Sequence, residues 1–257
     1  MAYLIYDGTF EGFLTVVFEC YRQKISPQGI HKDQHFQHIL FAEKQTIPTN
    51  EGHAHRVWTA MQKKLHSRNK NLPYLAFLSE EEGIEMKLYY FLKRLFDEQK
   101  RIETDYGDEQ VLKLKKIERQ VLKESSRLLQ FIRFQKTKAS IYFAPTEPQY
   151  DVLPLTIKHF KNRFADQKWL IYDLKRDYGF FYDLKVVEQV KFTEKNFSHA
   201  DGQIAGNLLE EGEVAYQSLW KNYFESINIK ERKNLKLQRQ HMPQRYWKFL
   251  PEKSPGR

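Results

Sequence analysis

The chain has 257 residues, 41% of them hydrophobic and 15% aromatic, with a formal net charge of +9. That length suits one large domain or two small ones, and the apolar content can bury a core, which excludes a disordered chain. No stretch reaches the ~20 apolar residues of a membrane span, the opening MAYLIYDGTFEGF lacks the basic region of a secretory signal, and the single cysteine, Cys20, excludes internal disulfides and cysteine zinc clusters. A cytoplasmic protein with no membrane partner is expected.

In chain order, YLIY at 3–6 predicts a short strand and Asp7-Gly8 a turn. Thr9 is placed to cap a helix through about Lys24, whose Phe10, Phe13, Leu14, Val17, Phe18 and Tyr21 form one stripe, with Cys20 beside it as a core residue. Residues 25–48 read as irregular, with one strand possible at 39–47. Thr49 or Asn50 caps a helix to about Leu65, a helical stretch follows at 72–80, and amphipathic helices are predicted over 82–102 and from Glu109 to Leu129. In the last of these Val111, Leu114, Ile117, Val121, Leu122, Leu128 and Leu129 mark the buried side.

The period changes near residue 130. FIRF at 131–134 and SIYFA at 140–144 predict a β-hairpin, followed by a helix over about 150–164. WLIYD (169–173), YGFFYD (178–183) and KVVEQVKF (185–192) predict three further strands, 194–209 a loop, and 210–227 a helix. The expected fold class is therefore α+β: a mainly helical N-terminal region, 1–129, packed on a C-terminal region, 130–257, built on an antiparallel sheet with flanking helices.

Charge is concentrated at the end. Residues 230–257 hold nine basic side chains against Glu231 and Glu252, a sum of +7, so the other 229 residues carry only +2. The segment RQHMPQRYWKFLPEK sets Arg239, Arg245 and Lys248 beside Tyr246, Trp247 and Phe249. The hairpin repeats these ingredients, with Arg133, Lys136 and Lys138 among Phe131, Phe134, Tyr142 and Phe143. Cations that hold phosphates beside rings that stack bases are the means of nucleic-acid binding, although sheet aromatics are more often core. Tail rings anchored in the fold, with cations facing outward, reconcile the two.

Chemistry-bearing residues are sparse. On the 150–164 helix, Leu153, Ile157, Phe160 and Phe164 face the core, while Asp151, His159 and Arg163 lie roughly opposite. His159 and Arg163 suit phosphate binding or proton transfer; Asp151 and Pro154 fit ordinary first-turn roles. Asp173 and Arg176 stand at the following strand turn, within reach of such a site. His53 and His55 point ~200° apart on a helix and share no metal there. Dinucleotide, P-loop, nucleophile-elbow and zinc-protease patterns are all absent, so no metal or cofactor is expected.

The run FIRF…IYFAPTEPQYDVLPLTIKHFKNRFADQKWLIYDLKR, the closing RQHMPQRYWKFLPEK and the opening YLIYDGTFEGFLTVVFECY together resemble a bacterial family described only as a "DNA metabolism protein". The resemblance spans essentially the whole chain. Pro145, Pro148, Asp151, Leu153, Pro154, His159, Phe160, Arg163, Phe164, Trp169, Asp173 and Arg176 fall on its recurring positions, as do Pro243, Arg245, Tyr246, Trp247 and Lys248. Tyr172 stands where that family usually has histidine. The resemblance implies an association with DNA repair or modification beside a radical-SAM protein, and a relation to a domain fused to uracil-DNA glycosylase-like proteins. It implies no reaction.

The leading expectation is a DNA-binding accessory protein acting with a radical-SAM partner through Arg133, Lys136, Lys138, Arg163, Arg176, Arg239, Arg245, Tyr246, Trp247 and Lys248. One alternative is an enzyme acting on DNA or a nucleotide, with His159 as general acid or base, Asp151 and Asp173 as its carboxylates and the arginines orienting phosphate. The other is a protein–protein adaptor that makes no nucleic-acid contact.

Overall fold

The computed structural model describes residues 2–33, 43–99, 101–192, 208–226 and 234–253. Most of the 194–209 segment, part of the 39–47 strand, and Lys230, Glu231, Arg232, Lys233 and Arg257 of the basic tail lie outside the described residues. The chain forms two compact units, Met1–Leu122 and Lys123–Arg257.

The first unit opens with β1 (Tyr3–Tyr6), α1 (Phe10–Gln23), β2 (Gly29–Lys32) and β3 (Lys44–Thr46). The strands form a parallel sheet in the order β2-β1-β3. A parallel β1–β2 pair needs a crossover, and α1 supplies it. β2 lies where the sequence reads as irregular; GIHK is too short to show a period. The Thr9 side chain accepts a hydrogen bond from the Gly12 N–H, and Asp7 accepts from both the N–H and the hydroxyl of Thr9. Cys20 lies in the core, where burial pushes its thiol up to about 12.

The helices α2 (Glu51–Lys64), α3 (Leu72–Phe77) and α4 (Ile84–Asp97) follow, and α5 (Glu109–Phe131) runs across the division between the units. Asn50, not Thr49, caps α2, its side chain accepting from the His53 N–H.

The second unit contains β4 (Gln135–Lys136), β5 (Tyr142–Thr146), α6 (Leu153–Arg163), β6 (Trp169–Asp173), β7 (Tyr178–Tyr182), β8 (Val187–Val190), α7 (Glu213–Ser226) and α8 (Leu235–His241), then a 3-10 turn over Gln244–Phe249. Its five-stranded sheet has the order β4-β5-β6-β7-β8. The sheet is mixed, not purely antiparallel as expected: β5 and β6 pair in parallel because α6 carries the chain back to the starting edge. The hairpin is also displaced. Phe131 is the last residue of α5, and the strand that pairs with β5 is the two-residue β4.

One face of this sheet is covered by α6, through buried Leu153, Thr156 and Phe160; the Phe160 ring lies 6.3 Å from Trp169. On the other face Phe143, Leu170, Tyr172 and Leu174 gather with Phe249 of the tail. At Gly179 on β7, a Cβ would stand 2.5 Å from the Ile171 carbonyl oxygen, so only glycine fits there without displacing the strand.

Candidate nucleic-acid interface

Strand register decides which loops meet. Lys136 pairs with Tyr142, Tyr142 with Trp169, Trp169 with Tyr182, and Tyr182 with Val187. This row crosses the sheet at one edge. The β4–β5 turn, the loop from α6 to β6 and the β7–β8 turn therefore all emerge there, beside the C-terminal end of α6.

Each of these segments contributes a cation: Lys138 from the first turn, Lys168 from the loop, Lys185 from the last turn, and Lys161 and Arg163 from the end of α6. Cations at a helix C-terminus are stabilised by the macrodipole, so their presence there costs little. The Lys161 ammonium donates to the Lys185 carbonyl oxygen at 3.1 Å and lies 5.7 Å from the Tyr182 ring centroid. The Arg163 guanidinium lies 5.8 Å from the Phe164 ring. Among the described residues, no carboxylate pairs with any of these cations. Of the local acids, Asp183 accepts from the Val186 and Lys185 N–H groups, and these bonds, with the nearby Lys185 charge, hold its carboxylate below the usual range. Asp166 is exposed.

The opposite edge is built differently. Asp173 is fully buried, and Arg176 donates to it at 2.7 Å and to the carbonyl oxygens of Pro148 and Gln149. Burial pushes the Asp173 carboxyl up, against the pull of Arg176. Asp151 accepts a short hydrogen bond from the Tyr178 hydroxyl. Tyr172 donates to Asp177 at 2.8 Å. Asp173 and Arg176 thus tie this turn to residues 148–149.

The enzymatic candidates do not converge. Asp151 precedes α6, and His159 is exposed about two turns further on, ~10 Å along the axis. Asp173 is enclosed by its own turn. An open pocket of ≈ 810 Å³ in this unit is lined by Lys136, Lys138 and Tyr142 with Glu210, Glu211, Glu213 and Tyr216, and by none of Asp151, His159 and Asp173.

Two cations of the basic tail, Arg245 and Lys248, are held in ion pairs. Arg245 donates to Glu124 through Nε at 3.0 Å and through Nη2, and the buried Tyr246 hydroxyl donates to the same carboxylate at 2.9 Å. Burial raises the Glu124 carboxyl, but the Gln149 N–H, Arg245 and Tyr246 outweigh it and hold the group below its usual range. Lys248 pairs with Glu147, and Arg133 donates to Glu252 at 2.7 Å. Trp247 is half-buried and donates to the Met242 carbonyl oxygen at 3.0 Å. The Lys136 ammonium is taken by Glu210 at 3.0 Å. Of the expected phosphate contacts, Lys138, Arg163 and Arg239 have exposed side chains and no carboxylate partner among the described residues.

Sequence reasoning missed Lys161, Lys168 and Lys185, which look like ordinary surface lysines until the register brings their segments together. It also missed Glu124, whose lone charge on the buried side of α5 was the available signal. Among the described residues no His, Cys, Asp or Glu group is arranged to hold a metal ion, and no helix is long and apolar enough to cross a membrane.

Comparison with protein families matches residues 82–252 to a domain of unknown function, DUF4130. Neither the curated proteins nor the solved structures gave a match.

Proposed function

This chain belongs to the family of the domain of unknown function DUF4130, and on that premise we propose that it is a DNA-binding accessory protein of DNA repair or modification. One observation carries the reading: Lys138, Lys161, Arg163, Lys168 and Lys185 stand on segments that meet at one sheet edge, and among the described residues none of them is held in an ion pair. Exposed cations gathered on a folded scaffold suit a polyanion backbone, which they bind by displacing counterions. Arg245 and Lys248 of the tail are taken by Glu124 and Glu147, so the reading rests on this edge and not on that pair. Action beside a radical-SAM protein rests on the resemblance of the sequence motifs and is tested by co-purification of the two proteins.

The test of the DNA reading is fluorescence anisotropy with labelled DNA, comparing the parent chain with Lys168→Glu/Lys185→Glu. Both side chains are exposed, so the fold is retained. The reading expects affinity to fall by tenfold or more and the slope of log K against log salt to shrink by about one for each lost phosphate contact. Unchanged affinity and slope would sink it.

A further inference from the structure

The β7–β8 turn is a two-residue hairpin loop. Tyr182 pairs with Val187, the Asp183 N–H donates to the Val186 carbonyl oxygen at 3.3 Å, and Leu184 and Lys185 are the central residues. Leu184 has φ +88°, and Lys185 has no positive φ. A positive φ at the first central residue alone is the pattern of a II′ turn, which matches the twist of the flanking strands and in which that position belongs to glycine. In leucine the Cβ makes the same backbone costly. Burial does not offset that cost: Leu184 is 44% exposed and the neighbouring Val186 50%. Strain of this kind at an exposed apolar tip marks a position that serves something other than the fold.

Side-chain hydrogen bonds fix the turn in this form. One Asp183 carboxylate oxygen accepts the Lys185 N–H at 2.7 Å and the Val186 N–H at 2.8 Å. The buried Tyr182 hydroxyl donates to the Leu184 carbonyl oxygen at 2.8 Å, and the Lys161 ammonium donates to that of Lys185 at 3.1 Å. Leu184 therefore stands among cations of the basic edge. Lys185 follows it in the turn, Lys161 holds the same turn from α6, and the pairing of Trp169 with Tyr182 sets the exposed Lys168 beside it. Of the acids on these segments, Asp183 serves the turn, and the exposed Asp166 and Glu188 pair with none of these cations among the described residues.

We propose that Leu184 is a wedge that enters the base stack of duplex DNA whose backbone the basic edge holds, so that the protein selects duplexes with a weakened step, such as a mismatch. The proposal rests on the DNA reading above and narrows its substrate class. Charge and shape favour this occupant: cations around an exposed, firmly held aliphatic side chain suit the phosphates on either side of an opened base step. Unstacking costs least where pairing is already lost, which makes a wedge a selector of mismatched or damaged sites. A tip already fixed in the free protein loses little freedom on insertion.

The experiment uses a short fluorescein-labelled duplex, fully matched or with one central mismatch, for anisotropy. The same duplexes with 2-aminopurine at the central step report unstacking by a rise in fluorescence. The parent chain, Leu184→Gly and Lys168→Glu/Lys185→Glu are compared, with Tm read for each. The parent chain is expected to prefer the mismatched duplex and to raise the fluorescence. Leu184→Gly should lose the fluorescence rise and roughly tenfold in affinity for the mismatch, the worth of burying a leucine side chain. Its phosphate contacts remain, so the salt slope should match the parent's, and relief of the positive φ should set its Tm at or above the parent's. A lowered Tm with unchanged mismatch affinity makes Leu184 a structural residue and overturns the wedge. Equal binding of both duplexes by the parent chain, with loss in the lysine variant, overturns the wedge and leaves the basic edge standing. No effect of the lysine variant on either duplex overturns the DNA reading and the wedge with it. Binding to phosphatidylserine vesicles that Leu184→Gly abolishes, without any mismatch preference, makes the tip a membrane contact and also overturns the proposal.

Discussion

Arg245→Ala separates a structural tail from a binding tail. Arg245 is the nearer of two guanidinium partners of Glu124, whose side chain is only 1% exposed against 32% for Arg245; Arg127 stands 3.5 Å away. Stripping one partner from a buried ion pair costs ~3–5 kcal/mol, chiefly because the remaining charge stays buried. Arg127 remains as a weaker partner, and two further features lower that cost. Water reaches the half of the pair that Arg245 vacates, and Glu124 keeps the Gln149 N–H and the Tyr246 hydroxyl, each at 2.9 Å. A loss of about 2–3 kcal/mol follows, or roughly 5–10 °C in Tm for a chain of this size. Scanning calorimetry and urea unfolding followed by circular dichroism measure it.

Acid titration gives the same effect a sign. Glu124 is held below its usual range in the folded chain, so its stabilisation is complete above the ordinary glutamate pKa of ~4.3 and is lost as pH falls through the lower, folded value. Arg245→Ala should therefore show a shallower loss of stability between neutral and acid pH than the parent chain, while DNA affinity at neutral pH stays unchanged in the folded variant. A Tm shift below about 1 °C together with weakened DNA binding would refute this account and return Arg245 to the binding surface.

Arg176→Ala leaves the fully buried Asp173 without its guanidinium and should cost ~3–5 kcal/mol at neutral pH by urea unfolding. Because burial raises the Asp173 carboxyl, that deficit should narrow as pH falls and the group takes up a proton; a deficit that widens in acid would contradict the assignment. Gly179→Ala drives a methyl group against the Ile171 carbonyl oxygen and should lower stability by roughly 1–3 kcal/mol, measured the same way. Lys248→Ala breaks a pair whose side chains are 35% and 37% exposed, so its thermal scan should move by less than the equivalent of about 1 kcal/mol.

Elements with a strong local signal were legible in the sequence. α1 announces itself through the Thr9 cap and the Phe13–Val17 stripe, and β6 through the continuous apolar run WLIY. What escaped depends on partners distant in sequence. β2 and β4 are too short to carry a period and exist only because a neighbouring strand supplies their hydrogen bonds. The parallel β5–β6 pair follows from the α6 crossover, which hydropathy does not encode. Leu122 fits the buried stripe of α5 by spacing, yet is 46% exposed.

The site was legible only in kind. Basic and aromatic residues signalled an anion-binding surface, but composition does not tell a lysine that staples the fold from one that is free. Arg245 and Lys248 are separated by over a hundred residues from the carboxylates that absorb them. Lys168 and Lys185 gain their setting only through strand register.

Lysine acetylation footprinting of the full chain, read by mass spectrometry with and without saturating DNA, tests the central claim most directly. The account predicts that DNA protects Lys138, Lys168 and Lys185 and leaves the labelling of Lys248 and Lys253 unchanged. Protection confined to Lys236, Lys248 and Lys253, with the sheet-edge lysines labelled as in the free chain, would contradict it.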